Sequence, residues 1–241
     1  MSATVLRIEA LNARYGAAQV LFNVSLILRA EEVVAVMGRN GAGKSTVLKA
    51  VMAMIDDKSG RVTFRGDDIS HKRSFEIARR GLGYVPEDRR IFTNLTVLEN
   101  LEVGRQPPRH RAGGLTIAWT PERLFSLFPN LAAARARLAS ELSGGEQQML
   151  TIARTLMGNP YALLLDEPSE GLAPIVVDQM AAMIVALKKE GAAIVLCEQN
   201  LPFAAHVADR VYVLEKGAIC YENTMTALRA DDNARRRYLE F

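Results

Sequence analysis

Cysteine is scarce in this 241-residue chain, and a long apolar run is missing from it. The two cysteines, Cys197 and Cys220, lie far apart and form no C-x-x-C pair, which argues against a disulfide framework and a cysteine zinc cluster. The longest apolar stretches, such as residues 180–187 and 192–197, are much shorter than the ~20 residues of a membrane span. The N-terminal sequence MSATVLRIEA has no apolar signal core. We therefore expect a soluble chain in a reducing, intracellular compartment.

An excess of either charge is also missing. Lys and Arg number 30 against 27 for Asp and Glu, which gives a formal net charge of +3. This excess is too small to predict a nucleic-acid partner, and we expect none. The apolar share of 49% and the charged share of 24% are ordinary for a globular protein and exclude a disordered chain.

Strand-like and helix-like segments alternate along most of the sequence. Residues 33–37 are apolar throughout, as in a parallel strand that is buried on both faces. We predict strands at residues 4–9, 20–29, 33–37, 61–65, 82–85, 161–165, 193–197 and 210–214. We predict helices at residues 44–54, 174–190 and 201–208. This alternation predicts an α/β fold with a mainly parallel sheet.

The middle of the chain has a different pattern. From about residue 95 to residue 159 we find no convincing strand and predict an all-helical segment. Thr120 and Pro121 mark a helix start, because a capping hydroxyl is followed by proline at the first helical position. Residues 106–114 are rich in Pro, Arg and Gly and predict a loop. We predict one domain, with residues 1–94 and 160–241 as the α/β core and about 95–159 as an inserted helical subdomain.

Residues 38–45 read GRNGAGKS and fit the pattern G-x-x-x-x-G-K-[ST] between a predicted strand and a predicted helix. In this pattern, backbone N–H groups surround phosphate oxygens, and the helix start adds partial positive charge. Lys44 would reach the β- and γ-phosphates, and the Ser45 hydroxyl would ligate Mg²⁺. The alternative is a chance glycine turn, which the strand–loop–helix context disfavours. The predicted nucleotide-binding residues here are Gly38, Arg39, Asn40, Gly41, Ala42, Gly43, Lys44, Ser45 and Thr46.

Two carboxylates, Asp166 and Glu167, follow the predicted strand at residues 161–165. Open α/β sheets bind ligands at the carboxyl ends of their strands. Asp166 would hold Mg²⁺ through water, and Glu167 would orient and deprotonate an attacking water as a general base. The alternative is an ordinary acidic turn before Pro168. The presence of a phosphate loop in the same chain disfavours this alternative.

Residues 142–148 read LSGGEQQ, which alone could be a helix cap formed by Ser143. The string resembles the signature motif of the ABC-transporter ATPases. The order of phosphate loop, helical insert, signature and Asp-Glu pair agrees as well, over nearly the whole chain from about Val5 to Tyr238. The resemblance implies a P-loop NTPase core with a mainly parallel sheet, an N-terminal antiparallel β region and an inserted α-helical subdomain. It also implies ATP and Mg²⁺ as cofactors.

In that family two ATPase domains form a head-to-tail dimer, and each ATP lies between the phosphate loop of one and the signature of the other. The resemblance therefore implies that Ser143, Gly144, Gly145 and Glu146 contact a nucleotide. Tyr15 matches the aromatic position that stacks on adenine, although a half-buried strand tyrosine would read the same way.

Three positions depart from the general family pattern. Glu87 stands where most members have a Gln that senses Mg²⁺ and water, and a carboxylate can still ligate Mg²⁺. Ala173 stands where the dimer-contact loop usually ends in Asp. Gln199 stands in place of a switch His; it can donate to a γ-phosphate oxygen but cannot change charge with pH. Because Glu167 remains as the base, we still expect hydrolysis.

Four segments, at residues 84–92, 95–101, 169–174 and 198–200, together resemble one branch of the family. It is the second ATPase subunit of bacterial branched-chain (hydrophobic) amino acid importers, with urea and short-amide importers as the nearest neighbours. The implied partners are a second ATPase subunit, either a copy or a sister, two membrane permease subunits and, indirectly, a periplasmic solute-binding protein. The implied location is the cytoplasmic face of the inner membrane.

Three other classes remain as alternatives. A soluble P-loop kinase would lack the signature string. A non-transport ABC protein acting on DNA or ribosomes usually has two ATPase domains in one chain or long insertions. A regulator that binds ATP without hydrolysing it is disfavoured by the intact Asp166–Glu167 pair. Other chains select the transported solute, so this sequence does not identify it.

Overall fold

The computed structural model describes residues 3–110 and 116–238 of the chain. Its strands are β1 (Thr4–Tyr15), β2 (Ala18–Arg29), β3 (Val33–Met37), β4 (Lys58–Phe64), β5 (Asp67–Asp68), β6 (Leu82–Val85), β7 (Arg109–His110), β8 (Thr116–Ile117), β9 (Ala162–Asp166), β10 (Ala193–Glu198), β11 (Arg210–Glu215) and β12 (Ala218–Thr224). Its helices are α1 (Lys44–Val51), α2 (Ser74–Arg79), α3 (Val97–Val103), α4 (Pro121–Leu127), α5 (Pro129–Ala133), α6 (Gly144–Leu156), α7 (Pro174–Lys189), α8 (Leu201–Val207), α9 (Met225–Ala230) and α10 (Asp232–Tyr238).

A six-stranded sheet with the order β12-β11-β3-β10-β9-β6 forms the centre of the described structure. Its neighbouring strands are parallel, except that β12 runs antiparallel to β11. Every residue of β3, β9 and β10 is buried, because helices or the second sheet cover both faces. The register places Met37 beside Glu198 and Cys197 beside Asp166. The segments that follow these strands therefore leave the sheet at one common edge.

A four-stranded antiparallel sheet with the order β2-β1-β4-β5 packs against the central sheet through α1. Val47 and Leu48 of α1 share one apolar core with Leu6 of β1 and Val34 of β3. The helix that follows the phosphate loop is thus held between two sheets, and its first turn has a fixed position.

The helices α3 to α6 pack onto the opposite face of the central sheet. Trp119, Leu124 and Leu150 share a core with Leu165 of β9 and Ile184 of α7. We propose that this packed segment is the helical subdomain inserted into the α/β core. None of the helices in residues 3–110 and 116–238 has the length and apolar character that a membrane crossing needs.

The predicted fold class is confirmed, but several elements differ from the prediction. Helix α1 ends at Val51 instead of residue 54, because Ala53 adopts a left-handed φ of 54°. Strand β1 continues past residue 9 to Tyr15, because a bulge at Ala10 shifts the register and lets the pairing resume. The edge strand β12 was not predicted, since its exposed and half-buried residues give no apolar run.

The prediction of no strand between residues 95 and 159 was wrong. Strands β7 and β8 lie there and pair with each other in antiparallel fashion. Two-residue strands are too short to leave a recognisable alternation in the sequence. The predicted loop at residues 106–114 contains β7, and the part from residue 111 onward lies outside the described residues.

Candidate functional site

The phosphate loop, residues 38–45, joins β3 to α1 at the carboxyl edge of the central sheet. Gly41 and Gly43 have φ angles of 78° and 106°, where an L side chain is strained. Gly38 passes so close to β11 that a Cβ atom there would lie 2.4 Å from the carbonyl oxygen of Leu214. The path of this loop therefore requires glycine at these positions.

Lys44 lies at the centre of the loop, and its residue is only 3% exposed. Its Nζ donates to the carbonyl oxygens of Gly38 at 2.9 Å and Arg39 at 3.1 Å. The same ammonium forms an ion pair with Oε1 of Glu167 at 3.0 Å. The structure thus brings together the two residues to which the sequence assigns phosphate binding and water activation. Ser45 is half-buried and Thr46 is buried in the first turn of α1.

Asp166, the last residue of β9, is almost completely buried. The Tyr84 hydroxyl donates to its Oδ2 at 3.0 Å, whereas Oδ1 has no hydrogen-bond partner among the described residues. Burial raises the pKa of Asp166, and interactions with the hydroxyls of Ser45 and Tyr84 act against this rise. A buried carboxylate oxygen without a partner is available to a ligand at the edge of the sheet.

Two further carboxylates lie beside Glu167. Glu87 follows β6, whose Val85 pairs with Leu165 of the neighbouring strand β9. Glu170 is exposed to solvent, but partial desolvation and the neighbouring Glu167 and Glu87 together raise its pKa to about 6. The predicted metal residue Glu87 and the predicted base Glu167 are therefore close to the same third carboxyl group. Glu170 was not among the predicted site residues, since its only signal in the sequence is its place in the 169–174 loop.

The end of β10 carries Glu198 and Gln199. Glu198 is 2% exposed. Its Oε1 accepts a hydrogen bond from the backbone N–H of Ser169 at 3.0 Å, and its Oε2 accepts from the N–H groups of Gln199 at 3.1 Å and Asn200 at 3.2 Å. Gln199 itself is exposed at the same edge as the phosphate loop. Glu198 was not among the predicted site residues, although a single charge at the end of an apolar run is a visible signal in the sequence.

The signature residues form the start of α6. The Ser143 Oγ accepts from the backbone N–H of Glu146 at 3.4 Å, and the Ser143 N–H donates to Oε2 of Glu146 at 2.8 Å, which is a capping box. The hydrogen bonds from Ser143 lower the pKa of Glu146. A Cβ atom on Gly144 would lie 2.8 Å from Nη1 of Arg89, and one on Gly145 would lie 2.6 Å from Cγ1 of Val176. These contacts run to the neighbouring loop and to α7 rather than to the phosphate loop.

Tyr15 ends strand β1, and its residue is 50% exposed. It pairs with Ala18 across the hairpin to β2. Leu21 of β2 reaches the phosphate loop, where a Cβ atom on Gly43 would lie 3.0 Å from Cδ2 of Leu21. The hairpin therefore lies beside the loop and presents an exposed aromatic ring.

Comparison with known proteins adds to this geometry. Residues 21–170 match the family model described as ABC transporter. The chain belongs to the ABC transporter family. As an ATPase of this family it binds and hydrolyses ATP, which confirms the family and the enzyme class expected from the sequence.

The ATPase is similar to curated proteins along almost its whole length. It is 39% identical over 239 residues to BraG of Pseudomonas aeruginosa, a high-affinity branched-chain amino acid transport ATP-binding protein, with 98% of this chain and 99% of BraG covered. It is 32% identical to the probable branched-chain amino acid transport ATP-binding protein LivF of Archaeoglobus fulgidus, with 93% and 94% covered. It is 31% identical to the lipopolysaccharide export system ATP-binding protein LptB of Escherichia coli, with 93% and 92% covered.

Solved structures give the same result for the fold of the ATPase. The ADP conformation of an ATP-binding cassette of an ABC transporter aligns with a TM-score of 0.79 at 27% identity and covers 98% of each chain. A nucleotide-free ATP-binding cassette aligns with a TM-score of 0.78 at 27% identity and covers 96% of this chain and 97% of the other.

Proposed function

We propose that this ATPase powers the import of branched-chain, hydrophobic amino acids through a separate permease at the cytoplasmic face of the inner membrane. The end-to-end similarity to BraG carries this proposal, because the name of that protein states branched-chain amino acid transport. LivF, named for the same transport, supports it. LptB supports the shared ATPase chemistry. Because LptB is less similar to this chain than BraG is, we favour amino acid import over lipopolysaccharide export.

The phosphate loop receives the triphosphate of ATP in this proposal. The backbone N–H groups of residues 38–46 and the positive end of α1 surround the phosphate oxygens. Lys44 exchanges the carbonyl oxygens of Gly38 and Arg39 for the β- and γ-phosphates, which are stronger partners for an ammonium. This exchange also separates Lys44 from Glu167 and leaves that carboxylate available for a water molecule.

The residues at the edge of the sheet fit a magnesium ion. Asp166 Oδ1 is buried without a partner, and hydroxyl and carboxylate oxygens are the ligands that Mg²⁺ prefers. We propose that Ser45, Asp166 and Glu87 hold the ion directly or through water. The bound ion would supply positive charge to the phosphate oxygens.

Glu167 is the proposed general base. Its backbone is fixed in a left-handed conformation with φ 45°, and its N–H donates to the carbonyl oxygen of Cys197 at 2.9 Å. The carboxylate then orients a water molecule toward the γ-phosphate and accepts its proton. Gln199, at the same edge, donates a hydrogen bond to a γ-phosphate oxygen through its side-chain amide.

A second ATPase subunit, a copy or a sister chain, completes each nucleotide site in this proposal. The exposed Ser143 hydroxyl and the N–H groups of Gly144 and Gly145, ordered by Glu146, bind the γ-phosphate held by the partner's phosphate loop. Tyr15 stacks on the adenine ring of the ATP bound to its own chain.

An apolar groove is the proposed docking site for the permease. The groove has a volume of about 470 Å³ and lies between α2, β6, α3 and α6, beside the segment that follows α1. Three of its lining residues are exposed apolar side chains: Met54, Phe92 and Val103. We propose that a cytoplasmic helix of each of two permease subunits binds here, and that a periplasmic solute-binding protein acts indirectly through the permease.

The substitution Glu167→Gln tests the function. ATP hydrolysis should fall on the order of 10²-fold or more, because the base is lost, while ATP binding is retained and a dimer is stabilised. Cells that carry this variant as their only copy should also lose uptake of radiolabelled leucine. Hydrolysis and uptake are measured beside Glu9→Gln, which makes the same charge change at an exposed position of β1 and should match the wild type.

Hydrolysis within a few-fold of the wild type would refute the role of Glu167. Loss of labelled urea uptake with normal leucine uptake would instead assign the chain to a short-amide importer.

A further inference from the structure

One buried carboxylate joins two loops of the site. Glu198 accepts hydrogen bonds from the loop after β9, at Ser169, and from the segment after β10, at Gln199 and Asn200. Both of its oxygens are used, one for each segment. A buried carboxylate is costly unless hydrogen bonds compensate it, and these three backbone donors offset part of that cost. Burial outweighs them and raises the pKa of Glu198.

The position of Gln199 depends on this carboxylate. The side chain of Gln199 is exposed. The backbone N–H of Gln199, not its side-chain amide, donates the hydrogen bond to Glu198. The following residue, Asn200, caps α8 by accepting from the N–H of Phe203 at 3.0 Å. Glu198 and this cap therefore fix the short backbone segment that carries the Gln199 amide.

The other segment is the 169–174 loop. Ser169 is 6% exposed, and its N–H depends on Glu198 Oε1 for a partner. The N–H of Glu170 donates to the carbonyl oxygen of Glu167 at 3.1 Å, so the same loop also holds the backbone of the proposed base. A shift of this loop would therefore displace the Glu198 carboxylate, which also binds the backbone N–H of Gln199.

We propose that Glu198 is a positioning residue that holds Gln199 toward the γ-phosphate and ties its segment to the 169–174 loop. This inference rests on the proposed function, in which Gln199 donates to that phosphate. Glu198 acts through Gln199 and does not touch the reacting atoms. Nucleotide contact at Gln199 and subunit contact at the 169–174 loop then stabilise one shared arrangement.

A double-mutant cycle tests this inference. The variant Glu198→Gln keeps the size of the side chain but places an amide NH₂ where an acceptor is needed. It should lower kcat about 10-fold with KM for ATP changed less than about 2-fold, because ground-state binding is at the phosphate loop. In the Gln199→Ala background the same substitution should lower kcat less than about 2-fold, because the residue through which it acts is gone.

An equal loss of kcat in both backgrounds, or a raised KM with unchanged kcat, would overturn the inference. Thermal unfolding identifies a variant that fails to fold, and Glu9→Gln provides the charge-matched control.

Hydrogen exchange of the nucleotide-free chain gives a second measurement that needs no hydrolysis. Glu198→Gln should speed exchange at the amides of Ser169 and Gln199 while that of Val47 in α1 stays unchanged. Unchanged exchange at both loop amides would contradict the inference. Absence of ATPase activity in the wild type would count against the proposed function alone, and the exchange result would still decide the role of Glu198.

Discussion

At the scale of one residue, the pKa of the Glu170 carboxyl group reports the electrostatics of the site and can be measured through the pH dependence of stability. Its pKa is raised to about 6 in the folded chain by partial desolvation and by the carboxylates of Glu167 and Glu87. A raised carboxyl pKa means that folding disfavours the ionised form. Its contribution to stability is present below the unfolded pKa and is lost as the pH rises through the folded value.

Glu170→Gln should therefore leave the free energy of unfolding unchanged near pH 4 and raise it relative to the wild type at about pH 8. The difference should develop between the ordinary pKa of 4.5 and the folded pKa of about 6, and it should be nearly constant above that. Urea denaturation of both chains in EDTA, at several pH values, measures it. A difference that is constant across this range would show that Glu170 does not titrate as described.

Residues with a local pattern could be predicted from the sequence. The spacing of residues 38–45 and the adjacent Asp166–Glu167 pair contain their chemistry within a few positions of the chain. Glu170 and Glu198 could not be selected in this way, because their significance comes from contacts between loops that are distant in sequence. Their charges are visible in the sequence, but their neighbours are not.

At the scale of the element, two helices begin with the same capping box. Thr96 with Glu99 starts α3, and Ser143 with Glu146 starts α6. Only the second cap belongs to the proposed nucleotide site. A comparison of Thr96 with Ser143 therefore separates the structural role of a helix cap from a role in binding phosphate.

Replacing either cap by Ala should cost about 1 kcal/mol of stability. Replacing either by Asp should preserve the cap, because Asp is as good an N-cap as Ser. Ser143→Asp should nevertheless abolish ATP hydrolysis, because its charge repels the γ-phosphate, whereas Thr96→Asp should keep it. Thermal unfolding and ATPase assays of the four variants measure both effects. Equal ATPase activity of the two Asp variants would refute the proposed role of Ser143 in nucleotide binding.

The elements themselves were predictable where a short apolar run is bounded by turn residues. Strands β3 and β6 have the predicted bounds, since a short apolar run between breakers indicates a buried strand. Strand β12 and the paired strands β7 and β8 were not predicted, because edge strands and very short strands are stabilised by pairing rather than by an apolar face. The bulge at Ala10 was equally invisible, since it depends on the register with β2 and β4.

At the scale of the whole molecule, the chain presents two half-sites. The phosphate loop and the carboxylates lie at the edge of the central sheet, and the signature lies at the exposed start of α6, with its packing contacts to Arg89 and Val176. In the proposed head-to-tail pair of subunits, each phosphate loop would meet the other subunit's signature. We therefore expect that neither half-site is active alone.

Mixing two inactive variants tests this requirement most directly. Lys44→Ala lacks the phosphate contact, and Ser143→Asp lacks the signature contact. A dimer of one of each still has one site in which both halves are intact. An equimolar mixture should recover about one quarter of the wild-type ATPase activity, because half of the randomly formed dimers are mixed and each has one of two sites intact. Activity of the mixture no higher than the mean of the two separate variants, beside an active wild type, would contradict the account.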